Sequence, residues 1–306
     1  MSEITLLDGG MGQELIKRSG RGATPLWSTQ ALLDNPALVG EVHEAYADAG
    51  ASVATTNSYA LHRDRLRGGA SNHYAAEGAE LPDMQGQLGD LLRAALSEAQ
   101  KVRARGRVAG SIGPLGASYR ADVHPDFETA VPLYAEIAQG LAPGVDLLLF
   151  ETVPSVAAAK ACLAAGRQTD LPVWLAFTVD DEDGSKLRSG EPVADAAAVA
   201  QEADAVLANC SAPEVMPAAL DALAGAGVPM GAYGNAFTMI TKEFLEGGTT
   251  AKSLQARRDM GPDAYADHAL SWLDHGATIL GGCCETGPAH IAEIARRLTA
   301  AGHTIV

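Results

Sequence analysis

What most constrains this chain is a rhythm. A short run of Val, Ile, Leu and Ala is followed by a Gly or polar residue and then by a longer stretch with helical spacing, over and over along the sequence. Strands are expected at Ile4 to Asp8, Ser52 to Asn57, Arg107 to Ser111, Asp146 to Glu151, Pro172 to Thr178, Ala205 to Cys210, Val228 to Tyr233 and Ala277 to Cys283. Several, such as Asp146-Leu-Leu-Leu-Phe150, are apolar almost throughout, which suits parallel strands covered on both faces. Eight such strands alternating with helices predict an α/β fold, a (β/α)8 TIM barrel, with residues 1–306 forming a single domain.

Helix punctuation fits the same count, because Pro is favoured in the first helical turn and Gly just past the last. Asn35-Pro36 opens a helix with Val39, Val42, Tyr46 and Ala49 along one side and a stop at Gly50. Ala212-Pro213, Gly261-Pro262 and Gly287-Pro288 open others, and Ser155 is suited to cap the helix that contains Cys162. Residues His62 to Leu81 read as a polar, Gly-rich insertion without periodicity over one end of the barrel. His43, His268 and His290 fall in helical patterns, where solvated or capping roles are expected. With 38 acidic against 22 basic residues the formal charge is −16, which repels phosphate backbones and anionic lipid surfaces. The expected partners are small molecules, with neither nucleic acid nor membrane. No run has the length of a bilayer span, and Met1 to Gly10 lacks the layout of an export signal, so a cytoplasmic protein is predicted.

In such a barrel the working residues lie at the C-terminal ends of the strands. Those ends read Asp8-Gly9-Gly10, Thr55-Thr56-Asn57, Ser111-Ile-Gly113, Glu151-Thr152, Phe177-Thr178, Asn209-Cys210-Ser211, Tyr233-Gly-Asn235 and Gly281-Gly282-Cys283-Cys284. Three of the four cysteines therefore meet at the rim, on strands six and eight, whereas Cys162 sits among Ala and Leu as a small core hydrophobe. Adjacent cysteines close a strained ring if bonded to each other, so reduced thiols are expected. Cys210, Cys283 and Cys284 converging on one point favour one zinc ion per chain with an open fourth position. Zinc with three thiolates carries about −1, which makes it a poor Lewis acid towards carbonyls and suits it to holding a fourth thiol as a thiolate. A zinc hydrolase, whose sites favour His and carboxylate ligands, is the poorer match.

At these residues the chain resembles the homocysteine S-methyltransferase family. Leu6-Leu-Asp-Gly-Gly-Met-Gly-Gln-Glu-Leu15 is similar to its opening strand and loop, and Leu26-Trp27-Ser28 to the segment that follows. Glu151-Thr-Val-Pro154, Asn209-Cys210 and Gly281-Gly-Cys-Cys284 are similar to its later signatures. The resemblance implies a barrel that uses Cys210, Cys283 and Cys284 to bind zinc and methylate homocysteine to methionine. It gives Glu151 the substrate's ammonium, sets Asp8 and the loop Gly9, Gly10 and Met11 beside the amino-acid moiety, and counts Thr152 and Asn209 among the substrate contacts. Gly9, Gly10 and Gly12 either present backbone N–H donors to the carboxylate or serve a tight turn. Trp27, Tyr59 and Tyr233 either stabilise a sulfonium methyl donor through cation–π attraction or pack in the core. Glu151 taken alone also fits a structural carboxylate paired with an Arg.

The chain departs from the family where the donor binds. S-methylmethionine-using relatives carry Tyr-Pro-Asn-Ser-Gly-Glu after strand seven, whereas this chain reads Tyr233-Gly-Asn-Ala-Phe237, and betaine-using relatives carry a Tyr where Thr152 stands. The expected donor is a small sulfonium, S-methylmethionine or S-adenosylmethionine. The alternatives are a betaine-like donor, a different thiol or selenol acceptor, and a barrel that binds zinc or an amino acid without catalysis.

Overall fold

The computed structural model describes residues 2–20, 24, 26–68, 81–246 and 254–306. Among the described residues there are nine strands: β1 (Glu3–Leu6), β2 (Val53–Thr55), β3 (Arg107–Ile112), β4 (Leu147–Val153), β5 (Val173–Phe177), β6 (Ala205–Asn209), β7 (Met230–Tyr233), β8 (Ile279–Leu280) and β9 (Thr304–Ile305). They pair in parallel in the order β2-β3-β4-β5-β6-β7-β8-β1-β9. A parallel bridge from Leu7 to Val53, with Ser52 N–H donating to Leu6 O at 2.7 Å, joins β1 back to β2 and closes the ring. The eight-stranded α/β barrel is therefore as expected. Strand β9 is additional: it pairs with Glu3 and Ile4, covering the part of β1 that lies before β2 begins.

Alternation along the strands separates two apolar layers. Leu147 and Leu149 of β4, Trp174 and Ala176 of β5, and Ala205 and Leu207 of β6 fill the barrel. Leu148, Phe150, Val173, Leu175, Val206 and Ala208 face outward under the helices. Every residue of β4, β5 and β6 is buried, which is why these segments read as unbroken apolar runs.

The helices start where the punctuation indicates. Pro36–Asp48, Pro262–Ser271 and Pro288–Ala300 each begin at a Pro, and Pro213–Val215 forms a single 3-10 turn ahead of Met216–Leu223. Ser155 caps Val156–Gly166 by accepting a hydrogen bond from Ala158 N–H at 3.1 Å, and Cys162 is buried inside that helix. The segment expected to lack periodicity contains a short helix at Arg63–Leu66, while 69–80 lies outside the described residues. His290 caps its own helix by accepting from Gly287 N–H, as expected of a capping residue. His43 differs from expectation: it is fully buried, because its helix packs on the barrel and also on the segment carrying Glu98 and Lys101. Among the described residues no helix is long and apolar enough to cross a membrane.

Candidate active site

The mouth of the barrel at the strand C-termini opens into a cleft of about 1120 Å³, counted out into solvent. Cys210 follows the last residue of β6, and Cys283 and Cys284 lie just beyond β8. Their three sulfurs lie within 4.8 Å of one another, with Cys283 Sγ 2.7 Å and Cys284 Sγ 4.0 Å from Cys210 Sγ. The chain after β7 acts as the template for this convergence. Tyr233 O accepts from Cys210 N–H, Gly234 O from Cys283 N–H, and Ala236 N–H donates to Cys284 O, at 2.9–3.0 Å.

By strand alternation Cys210 belongs on the outward face with Val206 and Ala208. Its left-handed backbone, φ +53°, turns the thiol into the mouth instead. Thr152 uses the same device at the end of β4: φ is +59°, and it shares outward parity with Leu148 and Phe150 yet lines the cleft. The three thiols share charge unequally. Hydrogen bonds from Cys283 and Cys284, helped by Tyr119, hold Cys210 well below the usual thiol range, and donating to Cys210 pushes the other two well above it.

Glu151 continues the inward alternation of Leu147 and Leu149 and reaches the cleft from β4. Its Oε1 accepts from Ser111 Oγ–H and its Oε2 from Tyr233 O–H at 3.0 Å. Burial pushes its carboxyl up to about 7, against the pull of the two hydroxyls, with Cys210 adding to the rise. Asp8 is held by Thr55, whose N–H and hydroxyl donate to Oδ2 and Oδ1 at 2.7 and 2.9 Å. Burial dominates there as well, raising Asp8 to about 8 despite those two donors. The cleft thus carries two buried carboxyls, neither paired with an Arg among the described residues, beside three sulfurs.

Trp27, Tyr59 and Tyr233 all line the cleft, as do Gly9, Gly10, Met11 and Thr152. Trp27 and Tyr59 meet edge to face at 5.8 Å between ring centroids. The glycines earn their positions by close approach. A Cβ on Gly10 would fall 2.5 Å from Cys283 O, and one on Gly12 2.4 Å from Trp27 Cζ2. Gly10 N–H donates to Thr286 O at 2.8 Å, so that donor is engaged by the chain itself and is not offered to a carboxylate. Asn209 also works internally. Its Oδ1 accepts from Thr152 N–H at 2.9 Å and its Nδ2 donates to Thr152 Oγ1 at 3.1 Å, which braces the left-handed Thr152 and leaves Asn209 off the cleft wall. Sequence reasoning missed Arg65, Ser118, Tyr119, Phe237 and Phe244, which complete the wall. Ser118, Tyr119 and Phe237 come from loops, and Arg65 and Phe244 from the short helices Arg63–Leu66 and Lys242–Glu246, too brief for a periodicity to mark a residue.

A sequence model of the homocysteine S-methyltransferase family matches residues 5–298. The homocysteine S-methyltransferase of Escherichia coli (strain K12) is 32% identical over an alignment covering 96% of this chain and 95% of that protein. Crystal structures of the E. coli homocysteine methyltransferase MmuM superpose with TM-scores of 0.76 (oxidised form) and 0.74 (metallated form), each at 30% identity over 96% of both chains. The match spans both cysteine segments and the Asp8 and Glu151 strand ends, and the chain belongs to the homocysteine S-methyltransferase family.

Proposed function

We propose that the protein transfers a methyl group from a small sulfonium donor to the thiol of homocysteine, giving methionine, with one zinc ion per chain held by Cys210, Cys283 and Cys284. The observation that carries this reading is the convergence of three sulfurs within 4.8 Å at the floor of a cleft that also holds Asp8 and Glu151. The donor set fits the metal. Tetrahedral zinc with bonds of about 2.3 Å spreads its sulfurs about 3.8 Å apart. The 4.0 Å separation matches that spread, whereas the 2.7 Å pair is closer than it. Three thiolates leave a fourth position, and a bound zinc supplies the means to keep a substrate thiol deprotonated at neutral pH.

The protein's own groups then bind and orient. Glu151 takes the ammonium of homocysteine: each carboxylate oxygen already accepts one hydroxyl and has a lone pair to spare. Asp8 adds a second carboxyl to the cleft. Trp27, Tyr59, Tyr233 and Phe237 offer ring faces and edges to a cationic donor and keep water from it. Methyl transfer is an in-line displacement: the bond from the homocysteine sulfur to the methyl carbon forms as the bond from methyl to the sulfonium breaks. The electron pair leaves with a neutral thioether, and the thiol proton has already gone to water. Orientation and desolvation carry the rest of the rate enhancement. Free thiols at such a centre suit the reducing cytoplasm.

The test is zinc-loaded protein with homocysteine, offered S-methylmethionine, S-adenosylmethionine and betaine separately, with methionine quantified. Methionine from either sulfonium supports the reading. Formation from betaine alone changes the donor class, and no methionine from any of the three removes the catalytic reading.

A further inference from the structure

Against the cysteine cluster stands a tyrosine to which the reaction described above gives no task. Tyr119, in the loop after β3, is 7% exposed and directs its hydroxyl to within 3.0 Å of Cys210 Sγ. We propose that Tyr119 is a positioning residue for the metal centre, its hydroxyl donating a hydrogen bond to the Cys210 thiolate that fixes the direction of that sulfur and draws charge from it. The inference rests on the zinc reading given above.

Three features of the surroundings argue for a working hydroxyl over simple packing. A buried tyrosine hydroxyl needs a partner, and among the described residues Tyr119 O–H bonds to no group other than Cys210. The backbone at Tyr119 is left-handed, φ +66°, a conformation an aromatic residue adopts only when its surroundings enforce it. The ring is also clamped from behind. The Arg188 guanidinium lies 5.3 Å from its centroid and pairs with Asp181 at 2.8 Å, and Asp181 in turn accepts from Ala212 N–H at 2.9 Å, two residues past Cys210. One brace thus spans the loop after β3, the segment after β5 and the turn that carries Cys210. A cation behind the ring polarises the phenol and makes its O–H a better donor. The donor matters most with metal bound, because Cys283 and Cys284 then give up the S–H groups that otherwise face Cys210, and a ligand thiolate oriented by an outer partner holds its metal better.

The experiment compares parent, Tyr119→Phe and Arg188→Met as folded proteins. It measures zinc affinity by competition with a chromophoric chelator, and the sulfur-to-metal charge-transfer band of the cobalt(II)-substituted forms. Tyr119→Phe should bind zinc about tenfold more weakly and move the band to longer wavelength, since a sulfur lone pair that loses its donor rises in energy. Arg188→Met keeps the hydroxyl and should move the band the same way by less. Zinc affinity within twofold of the parent together with an unmoved band in Tyr119→Phe would overturn the proposal. If that variant does not fold, an unmoved band in Arg188→Met overturns it. A parent that binds no zinc removes the zinc reading and this inference together, whereas a parent that binds zinc beside unaltered variants removes this inference alone.

Discussion

Replacing Glu151 by Gln separates a substrate-binding carboxylate from a structural one. The change keeps size and removes charge, and among the described residues no Arg pairs with Glu151 whose charge would be orphaned. Its neighbours are the hydroxyls of Ser111 and Tyr233, which can rotate to accept from an amide N–H, so the barrel should stay folded and keep its metal. The lost interaction is a charge-assisted hydrogen bond to the homocysteine ammonium, about 1.5–3 kcal/mol, or roughly ten- to hundredfold in kcat/KM. The raised carboxyl offsets only a little of this. At about 7 it is near half-ionised in neutral solution, so the ammonium must select the ionised half, a factor of about two. The assay pairs homocysteine with 4-mercaptobutyrate, which has the same thiol and carboxylate but no ammonium. Glu151→Gln should lose roughly ten- to hundredfold with homocysteine and almost nothing with the second thiol, which the parent already uses poorly. Equal losses with both, or a collapse of the melting temperature, would show that the carboxylate supports the barrel, and the reasoning would be refuted.

The metal ligands and two buried features make further predictions. Cys283→Ser should abolish zinc binding measured by atomic absorption while circular dichroism stays native, whereas Cys162→Ala should keep full zinc occupancy because that thiol lies inside the helix Val156–Gly166. Full occupancy in Cys283→Ser would remove it from the ligand set. Gly10→Ala introduces a methyl 2.5 Å from Cys283 O, so zinc affinity should fall and turnover with it, with the melting temperature lowered by a few degrees at most; unchanged zinc affinity would mean the loop yields freely. His43, buried with neither ring nitrogen bonded among the described residues, is pushed down to about 4, by burial first and by Lys101 second. Its neutral form is the native one, so its contribution is complete above pH 6.5 and is lost as pH falls toward 4, by about 3 kcal/mol. Urea midpoints should therefore show His43→Leu at least as stable as the parent at pH 8 and gaining on it at pH 4.5; a gap independent of pH would contradict the burial of the imidazole.

The parts legible from sequence are those where one physical cause acts on consecutive residues. Strands buried on both faces make unbroken apolar runs, so all eight barrel strands are visible, and in a parallel barrel the residue after each run is a rim residue. That rule alone brought Cys210 together with Cys283 and Cys284 across about seventy residues. Strand β9 was not legible because two residues, Thr304 and Ile305, have no period, and their pairing depends on where β1 outruns β2. Asn209 shows the limit of reading rim position as contact. It occupies a strand end, but its amide faces Thr152, and only the fold reveals which rim residues look inward and which hold their neighbours. Tyr119 is a lone aromatic in a loop, and no spacing distinguishes it from a packing residue. A helical pattern predicts a solvated or capping role for His43 because a helix on a barrel ordinarily keeps one face in water, whereas this one is packed on two sides.

The backbone at the mouth supplies a reason why these particular residues meet there. Among the described residues five that are not glycine have positive φ: Trp27, Tyr119, Thr152, Cys210 and Glu285. Four line the cleft and the fifth adjoins Cys284. Such conformations cost roughly 1–3 kcal/mol each and persist only where the surroundings over-determine them. Those surroundings are identifiable here: Asn209 holds Thr152, and Tyr233 O holds Cys210 N–H. A regular strand directs only alternate residues into a barrel, so β6 can offer its inward position or its outward one, but not both in succession. The left-handed turn at Cys210 removes that restriction. Asn209 keeps its inward parity for bracing while the next residue swings its sulfur to the same mouth, and at β4 Glu151 and Thr152 reach the cleft side by side in the same way. The strain at the rim thus increases the density of functional groups beyond what strand alternation permits, and the rigid eight-stranded ring beneath supplies the contacts that hold it.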